Sequence, residues 1–217
     1  MTGKQRSQTP KAMVRDGYDR VSMAYRADDV ENDNAVFTKY REWIVELSLL
    51  LPPGSPVLDL GCGNGIPASA LLVDAGFDLT GVDISPVQVA RARQLVPEGR
   101  FIRGDMTVID FPPGIYAAVV ALYAVIHVPL PEQSELFAKI HTWIRPGGYL
   151  LMTVGAEAWT GVEENWLGVE GASMYWSHAN AATYNKWLTD GGYSILWSRY
   201  IPEGDGGHVL ILGQRLP

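Results

Sequence analysis

Gly61, Gly63 and Gly65 lie within five positions, in the segment VLDLGCGNG at residues 57–65. One glycine is enough to end a strand, whereas several in succession let the backbone approach a ligand closely. When a helix follows, its first amides also face that ligand. The spacing therefore predicts a ligand-binding turn, with Asp59 as the only acid in the apolar run before it.

The spacing of these glycines separates the common kinds of cofactor loop. A dinucleotide loop has a third small residue three positions after its second glycine, and here that position holds Ile66. A P-loop continues with Gly-Lys-Ser/Thr, whereas Gly65 is followed by Ile66 and Pro67. A nicotinamide-dependent oxidoreductase and a P-loop protein are both disfavoured.

Strand-like and helix-like segments alternate around this turn. The apolar residues between Val36 and Leu51 predict an amphipathic helix, which Pro52-Pro53-Gly54 ends. The alternation that follows implies parallel strands with crossover helices on both faces of a twisted sheet. Gly206-Gly207 predicts a closing hairpin, so the sheet ends antiparallel. Strands are predicted at 56–60, 78–82, 99–103, 117–122, 148–154, 193–201 and 207–214, and further helices at 12–27, 67–75, 86–96, 132–144 and 181–190.

The start of the helix at 86–96 is indicated in detail. Ser85 is a suitable N-cap, Pro86 suits the first helical position, and Gln88 completes a capping box.

Residues 155–178 follow neither the strand period nor the helix period. An irregular segment of this length is typical of a functional lid or a small insertion. It contains Trp159, Trp166 and the stretch MYWSHAN at 174–180. These aromatic residues predict either a wall for a planar or apolar substrate or a hydrophobic plug at the sheet edge.

Taken together, the motifs resemble the class I S-adenosylmethionine-dependent methyltransferases of small-molecule type. Motif I of that family, an acid, one residue and G-x-G-x-G, is matched from Asp59 to Gly65. The resemblance implies an α/β fold with a Rossmann-like doubly wound seven-stranded sheet, mostly parallel with an antiparallel C-terminal hairpin strand. It also implies a single methyltransferase domain over 1–217, with an N-terminal helical lid at 1–34 and a substrate-side insertion at 155–180. The later motifs are matched by GVDIS at 81–85, GDM at 104–106, ALYAVIHVP at 121–129 and IRPGGYLLMT at 144–153.

The resemblance implies S-adenosyl-L-methionine as the cofactor and S-adenosyl-L-homocysteine as the product. Asp83 suits both ribose hydroxyls, and Asp105 suits the adenine amino group, with Met106 covering the ring. Asp59 is expected to hold the loop or to meet the methionyl ammonium through water. The implied cofactor-binding residues are Tyr18, Tyr25, Asp59, Gly61, Cys62, Gly63, Asp83, Ile84, Asp105, Met106 and Leu122.

Three histidines are candidates for a general base, because an imidazole titrates near neutral pH. His127 follows the fourth strand, where packing beneath the next helix is the alternative. His178 lies in the aromatic segment, and His208 lies in EGDGGHV at 203–209, where Asp205 is the expected partner. His178, Asp205 and His208 lie on two loops with no i, i+4 histidine pair, so no metal site is predicted. The expected substrate-binding residues are Tyr123, Tyr175 and Trp176.

The implied reaction is methyl transfer from S-adenosylmethionine to an O, N or S nucleophile of a small molecule. The motif Asn/Asp-Pro-Pro-Tyr/Phe does not follow the fourth strand, which disfavours nucleobase and protein-amide substrates. Two alternatives stay open. One is a protein of the same fold that uses the cofactor for cyclisation or decarboxylation, and the other is a non-catalytic regulatory protein.

The amino-acid composition limits the expected binding partners and the expected cellular location of the protein. The 217 residues carry a formal net charge of −7, so no nucleic-acid partner is expected. No apolar run approaches the roughly 20 residues that span a bilayer, and MTGKQRSQTP lacks a signal core, so no membrane partner is expected. The single cysteine, Cys62, fits a reducing, cytoplasmic location. A homodimer stays open.

Overall fold

The computed structural model describes residues 8–28 and 34–217, which form a seven-stranded sheet with helices on both faces and a separate two-stranded sheet. The helices are α1 (Pro10–Tyr25), α2 (Asn34–Ser48), α3 (Ala68–Asp74), α4 (Pro86–Leu95), α5 (Leu130–Trp143) and α6 (Ala181–Asp190). The strands are β1 (Pro56–Leu60), β2 (Asp78–Asp83), β3 (Arg100–Arg103), β4 (Tyr116–Ala121), β5 (Ile144–Gly155), β6 (Trp159–Glu163), β7 (Met174–His178), β8 (Tyr193–Glu203) and β9 (Gly206–Arg215).

The large sheet has the order β3-β2-β1-β4-β5-β9-β8. The strands from β3 to β5 pair in parallel, and all six residues of the central β4 are buried. A strand that reads as continuously apolar is typical of a parallel sheet covered by helices on both faces. Separate apolar clusters on the two faces provide that cover. The predicted α/β architecture is confirmed.

The sheet ends antiparallel, as the hairpin signal predicted. β9 pairs antiparallel with both β5 and β8, and Glu203 and Gly206 are the last paired residues before the turn. This insertion of β9 between β5 and β8 completes the predicted seven-stranded, mostly parallel sheet.

Residues 155–178 are more regular than the sequence pattern predicted. β6 and β7 form an antiparallel hairpin, with a short 3-10 turn at Trp166–Gly168 between them. None of the five residues of β6 is buried, so the strand shows no alternation of apolar and polar residues. The period-2 pattern of strands does not detect β6, because most of its residues are exposed and neither face of the strand is selected for burial.

Several predicted boundaries shift by a few residues. The fifth strand begins at Ile144 and not at 148, because Ile144 pairs with Tyr116 before an irregularity in the register. The first helix spans Pro10–Tyr25 instead of 12–27, and Thr9 caps it by accepting from the amide of Ala12. The predicted N-terminal lid at 1–34 is described only in part, since residues 1–7 and 29–33 lie outside the described residues.

The predicted cap of α4 is half right. The Ser85 hydroxyl accepts a hydrogen bond from the Gln88 amide at 3.0 Å. The reciprocal bond of a capping box is absent there, because the Gln88 side chain instead accepts from Ser22 of α1 at 2.8 Å. Gln88 thus fastens α1 to the core.

The longest described helix, α1, has 16 residues. Within residues 8–28 and 34–217, no helix combines the length and the apolar character that crossing a bilayer requires.

Candidate functional site

The glycine turn lies where β1 ends, beside the ends of β2 and β4. Gly61, Gly63 and Gly65 have φ values of 75°, 55° and 85°, a region that strains other residues. A Cβ on Gly61 would lie 2.4 Å from the Ala124 Cβ, whereas a Cβ on Gly63 would meet nothing within 4 Å. Gly61 therefore allows close packing, and Gly63 exposes its backbone to open space.

Asp83 ends β2 opposite this turn. Its Oδ2 accepts from the Gly63 amide at 2.9 Å, and its Oδ1 accepts from the Ser85 amide at 2.8 Å. Burial raises the pKa of Asp83 to about 6 in spite of these two bonds. Each carboxylate oxygen keeps one further lone pair for a ligand.

Asp59 is a buried carboxyl beneath the turn. Its Oδ2 accepts from the Ser69 hydroxyl at 2.7 Å, and its residue exposure is 1%. Burial raises the pKa of Asp59 to about 7, since a single hydroxyl does not replace the lost water.

Asp105 follows β3 and is engaged by α1. Its Oδ2 lies 2.9 Å from the Lys11 Nζ, and its Oδ1 accepts from the Thr107 amide at 2.9 Å. Burial alone would raise the pKa of Asp105, but these bonds hold it below its ordinary value. The sequence did not indicate Lys11, which lies 94 positions from Asp105.

A cavity between α1 and the ends of β1, β2 and β3 collects most of the predicted cofactor-binding residues. We call it the loop cavity. It is lined by Lys11, Val14, Tyr18, Tyr25, Gly61, Gly63, Asp83, Ile84, Gly104, Asp105, Met106, Leu122, Tyr123, Ala124, His127 and Val128.

The other two predicted cofactor-binding residues, Asp59 and Cys62, line an adjoining recess under the turn. This loop recess also contains Arg26 and Tyr40, which the sequence did not indicate. Arg26 lies over the Tyr25 ring, with its guanidinium carbon 4.6 Å from the ring centroid. A buried acid, Asp59, and a cation, Arg26, therefore line the same recess.

A second cavity of about 260 Å³ adjoins the loop cavity and shares four residues with it, Tyr18, Tyr25, Tyr123 and His127. We call it the aromatic cavity. Its other described lining residues are Arg26, Val36, Lys39, Tyr40, Ile126, Trp166, Trp176, Glu203 and His208.

Tyr123 stands at the junction of the two cavities. It follows β4 with a φ of 55°, a conformation that is unusual for a bulky residue and marks a constrained site. Burial raises the pKa of its hydroxyl, which donates to Glu203. Lys39 of α2 donates to the Tyr123 hydroxyl at 2.9 Å and to the Glu203 Oε1 at 2.8 Å.

His208 is paired with Glu203, so the predicted pair of Asp205 and His208 is wrong. The His208 Nδ1 lies 2.8 Å from the Glu203 Oε2, whereas Asp205 is exposed in the turn. A signal for the correct partner existed in the hairpin register. Glu203 pairs with Gly206 and His208 with Ile201, which puts Glu203 and His208 diagonally on one face.

His127 is held at both ring nitrogens. Its Nδ1 lies 2.8 Å from the Tyr175 carbonyl, which can only accept, so Nδ1 carries the proton. Its Nε2 therefore accepts from the Tyr18 hydroxyl at 3.0 Å. Burial lowers the pKa of His127 to about 4. In this arrangement His127 is a neutral anchor for α1.

His178 and Tyr175 lie on β7 outside the lining of both cavities. The His178 Nδ1 donates to the Glu157 carbonyl at 2.8 Å, and burial lowers its pKa. Tyr175 contributes its carbonyl to His127. Trp176, the third predicted residue of this stretch, does line the aromatic cavity.

α1 and the β6–β7 hairpin together form a roof over the aromatic cavity. A Cβ on Gly17 would lie 2.5 Å from the Ser173 carbonyl oxygen, so the helix approaches the hairpin as closely as glycine allows. Trp166 packs edge-on against Tyr18 at 5.3 Å and against Trp176 at 5.9 Å between ring centroids. This roof covers one side of the aromatic cavity.

The fold and this site define a class of protein, an α/β domain that binds a cofactor at the carboxyl ends of its parallel strands. Residues 57–148 match the family described as Methyltransferase domain. The 2-methyl-6-phytyl-1,4-hydroquinone methyltransferase of Synechocystis sp. is 40% identical over 106 residues, 47% of this chain and 32% of that protein. The chain thus spans about a third of the length of this curated relative.

Solved structures agree on the fold. Magnesium protoporphyrin IX methyltransferase from Synechocystis PCC 6803, crystallised with bound SAM, has a TM-score of 0.73 at 22% identity, over 98% of this chain and 100% of that chain. The cyclase SpnF has a TM-score of 0.72 at 18% identity, over 96% of this chain and 97% of that chain. Residues 57–148 thus match a methyltransferase domain family, and the whole chain has the fold of these methyltransferase structures.

Proposed function

We propose that the chain binds S-adenosylmethionine in the loop cavity and transfers its methyl group to an O, N or S nucleophile of a small molecule in the aromatic cavity. The main support for this proposal is that the two cavities adjoin and share four lining residues, Tyr18, Tyr25, Tyr123 and His127. A cofactor in the first cavity and an acceptor in the second would meet at these side chains.

The loop cavity suits the ribose of this cofactor. Asp83 is a half-buried carboxyl whose hydrogen-bond partners in the described part of the chain are backbone amides. Two hydroxyl donors would complete its hydrogen bonding and favour its charged form. Gly63 supports the same assignment, because the space in front of it admits a ligand next to the backbone.

The rest of the cofactor has matching surroundings. Asp105 would accept from the adenine amino group, with Ile84, Met106 and Leu122 around the ring. In the loop recess, the methionyl ammonium would lie near Asp59, and Arg26 offers a cation for the methionyl carboxylate. Gly61 and Cys62 contribute backbone to this recess. Tyr18 and Tyr25 of α1 would cover the reactive end.

When bound, S-adenosylmethionine supplies a methyl group on a positively charged sulfur that becomes a neutral thioether after transfer. The chain's own contribution is to orient the acceptor and to exclude water. The roof of α1 and the β6–β7 hairpin does both, and we assign these roles to the N-terminal lid and to the insertion at 155–180. His127 would act by holding Tyr18 in place.

A small-molecule acceptor is supported by the relatives and by charge. The names of the similar proteins specify a hydroquinone and a porphyrin as their substrates. The net charge of −7 disfavours nucleic acid. Cys62 is buried and free, in agreement with a reducing location such as the cytoplasm. A homodimer is a further possibility that light scattering would test.

One alternative has specific support. The likeness to the cyclase SpnF leaves room for non-methyl chemistry on the same fold, or for a role without catalysis. Product analysis distinguishes these cases. Methyl transfer yields one S-adenosylhomocysteine for each methylated acceptor, whereas cyclisation yields none.

Calorimetric titration with S-adenosylmethionine tests the proposal. Asp83→Asn should weaken binding at least about tenfold, because hydrogen bonds to a charged group contribute about 1.5–3 kcal/mol each. Asp78→Asn is the matched control, since Asp78 begins the same strand and is exposed. Equal affinity in the Asp83 variant would remove this residue from the ribose, and no binding by the wild type would refute the proposed function.

A further inference from the structure

We propose that His208, oriented by Glu203, is the general base of the aromatic cavity, and that this cavity takes a planar aromatic acceptor whose nucleophile is a hydroxyl. The inference rests on the proposed function and specifies its acceptor.

The pair fixes which nitrogen of His208 is free. The Glu203 Oε2 lies 2.8 Å from the His208 Nδ1. A carboxylate only accepts hydrogen bonds, so Nδ1 carries the proton and the lone pair is on Nε2. Nε2 has no hydrogen-bond partner among residues 8–28 and 34–217. His208 lines the aromatic cavity, so this lone pair is available to a ligand there.

Glu203 is itself held in one orientation. Its second oxygen, Oε1, accepts from Lys39 at 2.8 Å and from the Tyr123 hydroxyl. Burial would raise the pKa of Glu203, but the hydrogen bonds from its three neighbours lower it to about 2. The carboxylate stays charged throughout the neutral range. Glu203 is therefore a positioning residue that fixes the tautomer and the ring orientation of His208.

The other two candidate histidines, His127 and His178, are less suited to this role. His127 uses both ring nitrogens, one toward the Tyr175 carbonyl and one toward the Tyr18 hydroxyl. His178 faces His208 at 6.5 Å between ring centroids but lies outside the lining of the aromatic cavity. Only His208 combines a free nitrogen with access to that cavity among the described histidines.

The walls indicate the acceptor class. The described lining includes Tyr18, Tyr25, Trp166 and Trp176, whose faces and edges suit an aromatic ring. A volume of about 260 Å³ is just below the usual range of ligand sites, about 300–1,000 Å³, and favours a small compound of one or two rings.

Charge favours a hydroxyl that loses its proton. Lys39, which donates to Glu203 and to the Tyr123 hydroxyl, lies in the lining of the same cavity. Its ammonium group favours an oxygen anion close to these groups. The step is balanced: the acceptor O–H bond breaks, its electron pair stays on oxygen, and the proton moves to the His208 Nε2. The groups facing His208 in this step are Glu203, Tyr123 and His178.

The test uses 4-nitrophenol as the acceptor probe and S-adenosylhomocysteine to fill the loop cavity, so that no turnover is needed. The phenolate of this probe absorbs visible light, whereas the neutral phenol does not. The titration is made at a mildly acidic pH, at which the free probe is mostly un-ionised. We expect the wild-type complex to bind the probe as phenolate, with transfer of its proton to His208.

His208→Gln should lower the bound phenolate about tenfold, the equivalent of one pKa unit, and Glu203→Gln should lower it in the same direction. Asp205→Asn is the matched control, since Asp205 is exposed in the same turn and should leave the signal unchanged. Equal phenolate in His208→Gln would refute the base, and equal phenolate in Glu203→Gln would refute its positioning role.

Calorimetry with S-adenosylhomocysteine on each variant keeps the two proposals separate. Unchanged affinity in the variants shows that they fold and that only the acceptor side is affected. If the cofactor product binds but 4-nitrophenol does not, the acceptor class is wrong and the proposed function stands. If the wild type binds neither S-adenosylmethionine nor its product, the proposed function itself fails.

Discussion

Binding of S-adenosylmethionine should release protons from the loop cavity. The pKa of Asp83 is raised to about 6 by burial, so about half of the unliganded molecules carry a proton on it at that pH. The ribose hydroxyls would donate to the charged form and lower this pKa. Asp83 should therefore release about half a proton on binding at pH 6, and almost none at pH 8.

The assay is titration calorimetry in two buffers with different ionisation enthalpies, whose difference in heat counts the released protons. Asp59 should also release protons on binding, because burial raises its pKa to about 7 and the ammonium group of the ligand would lower that pKa. The share of Asp83 is isolated as the difference between the wild type and Asp83→Asn at saturating ligand.

The sign of the pH effect is also defined. Since only the charged form of Asp83 accepts both hydroxyls, affinity should rise about twofold from pH 6 to pH 8 through this residue. An equal number of protons released by the wild type and by Asp83→Asn at pH 6 would refute the reasoning, as would affinity that falls with rising pH.

Two further predictions concern stability. In Gly17→Ala the new Cβ would lie 2.5 Å from the Ser173 carbonyl oxygen, and this clash should lower the free energy of unfolding by about 1–3 kcal/mol. The higher helix propensity of alanine offsets about 1 kcal/mol of that loss. Urea unfolding measures this loss of stability, and Met23→Ala, at an exposed site of the same helix, is the control. An unchanged urea midpoint in Gly17→Ala would contradict the close approach of α1 to the hairpin. Asp59→Asn should stabilise the unliganded protein at pH 8 by up to about 4 kcal/mol. The folded state binds the extra proton between the ordinary pKa of 3.8 and the raised value of about 7, so wild-type stability falls as pH rises through that window. The free energy of unfolding, plotted against pH over this range, should change less for Asp59→Asn than for the control Asp74→Asn. The same pH dependence in both variants would contradict the raised pKa of Asp59.

Local patterns were sufficient for the layout of the sheet and for the cofactor loop. Helical and strand periods depend on neighbours within a few residues, so the alternation from β1 to β5 could be read directly. The glycine spacing after Asp59 and the acids at the ends of β2 and β3 also lie in short segments. The structure places nine of the eleven predicted cofactor-binding residues around the loop cavity and the other two in its recess.

The acceptor side could not be predicted in the same way. Lys39 and Glu203 are 164 positions apart, and no local period relates them. Their contact depends on β9 entering the sheet beside β5, which brings the β8–β9 turn to the end of β4 next to Tyr123. The hairpin of β6 and β7 was missed because four of the five residues of β6 are exposed and burial does not alternate along either strand.

The amino-acid sequence by itself determined the parallel core, the ligand-binding turn and the acids that face it, because each depends on spacing within one strand and its loop. Only the tertiary structure decided which histidine has a free nitrogen, which acid orients it and which aromatic residues form the roof. Those outcomes depend on strand order and register, which join side chains from opposite ends of the chain.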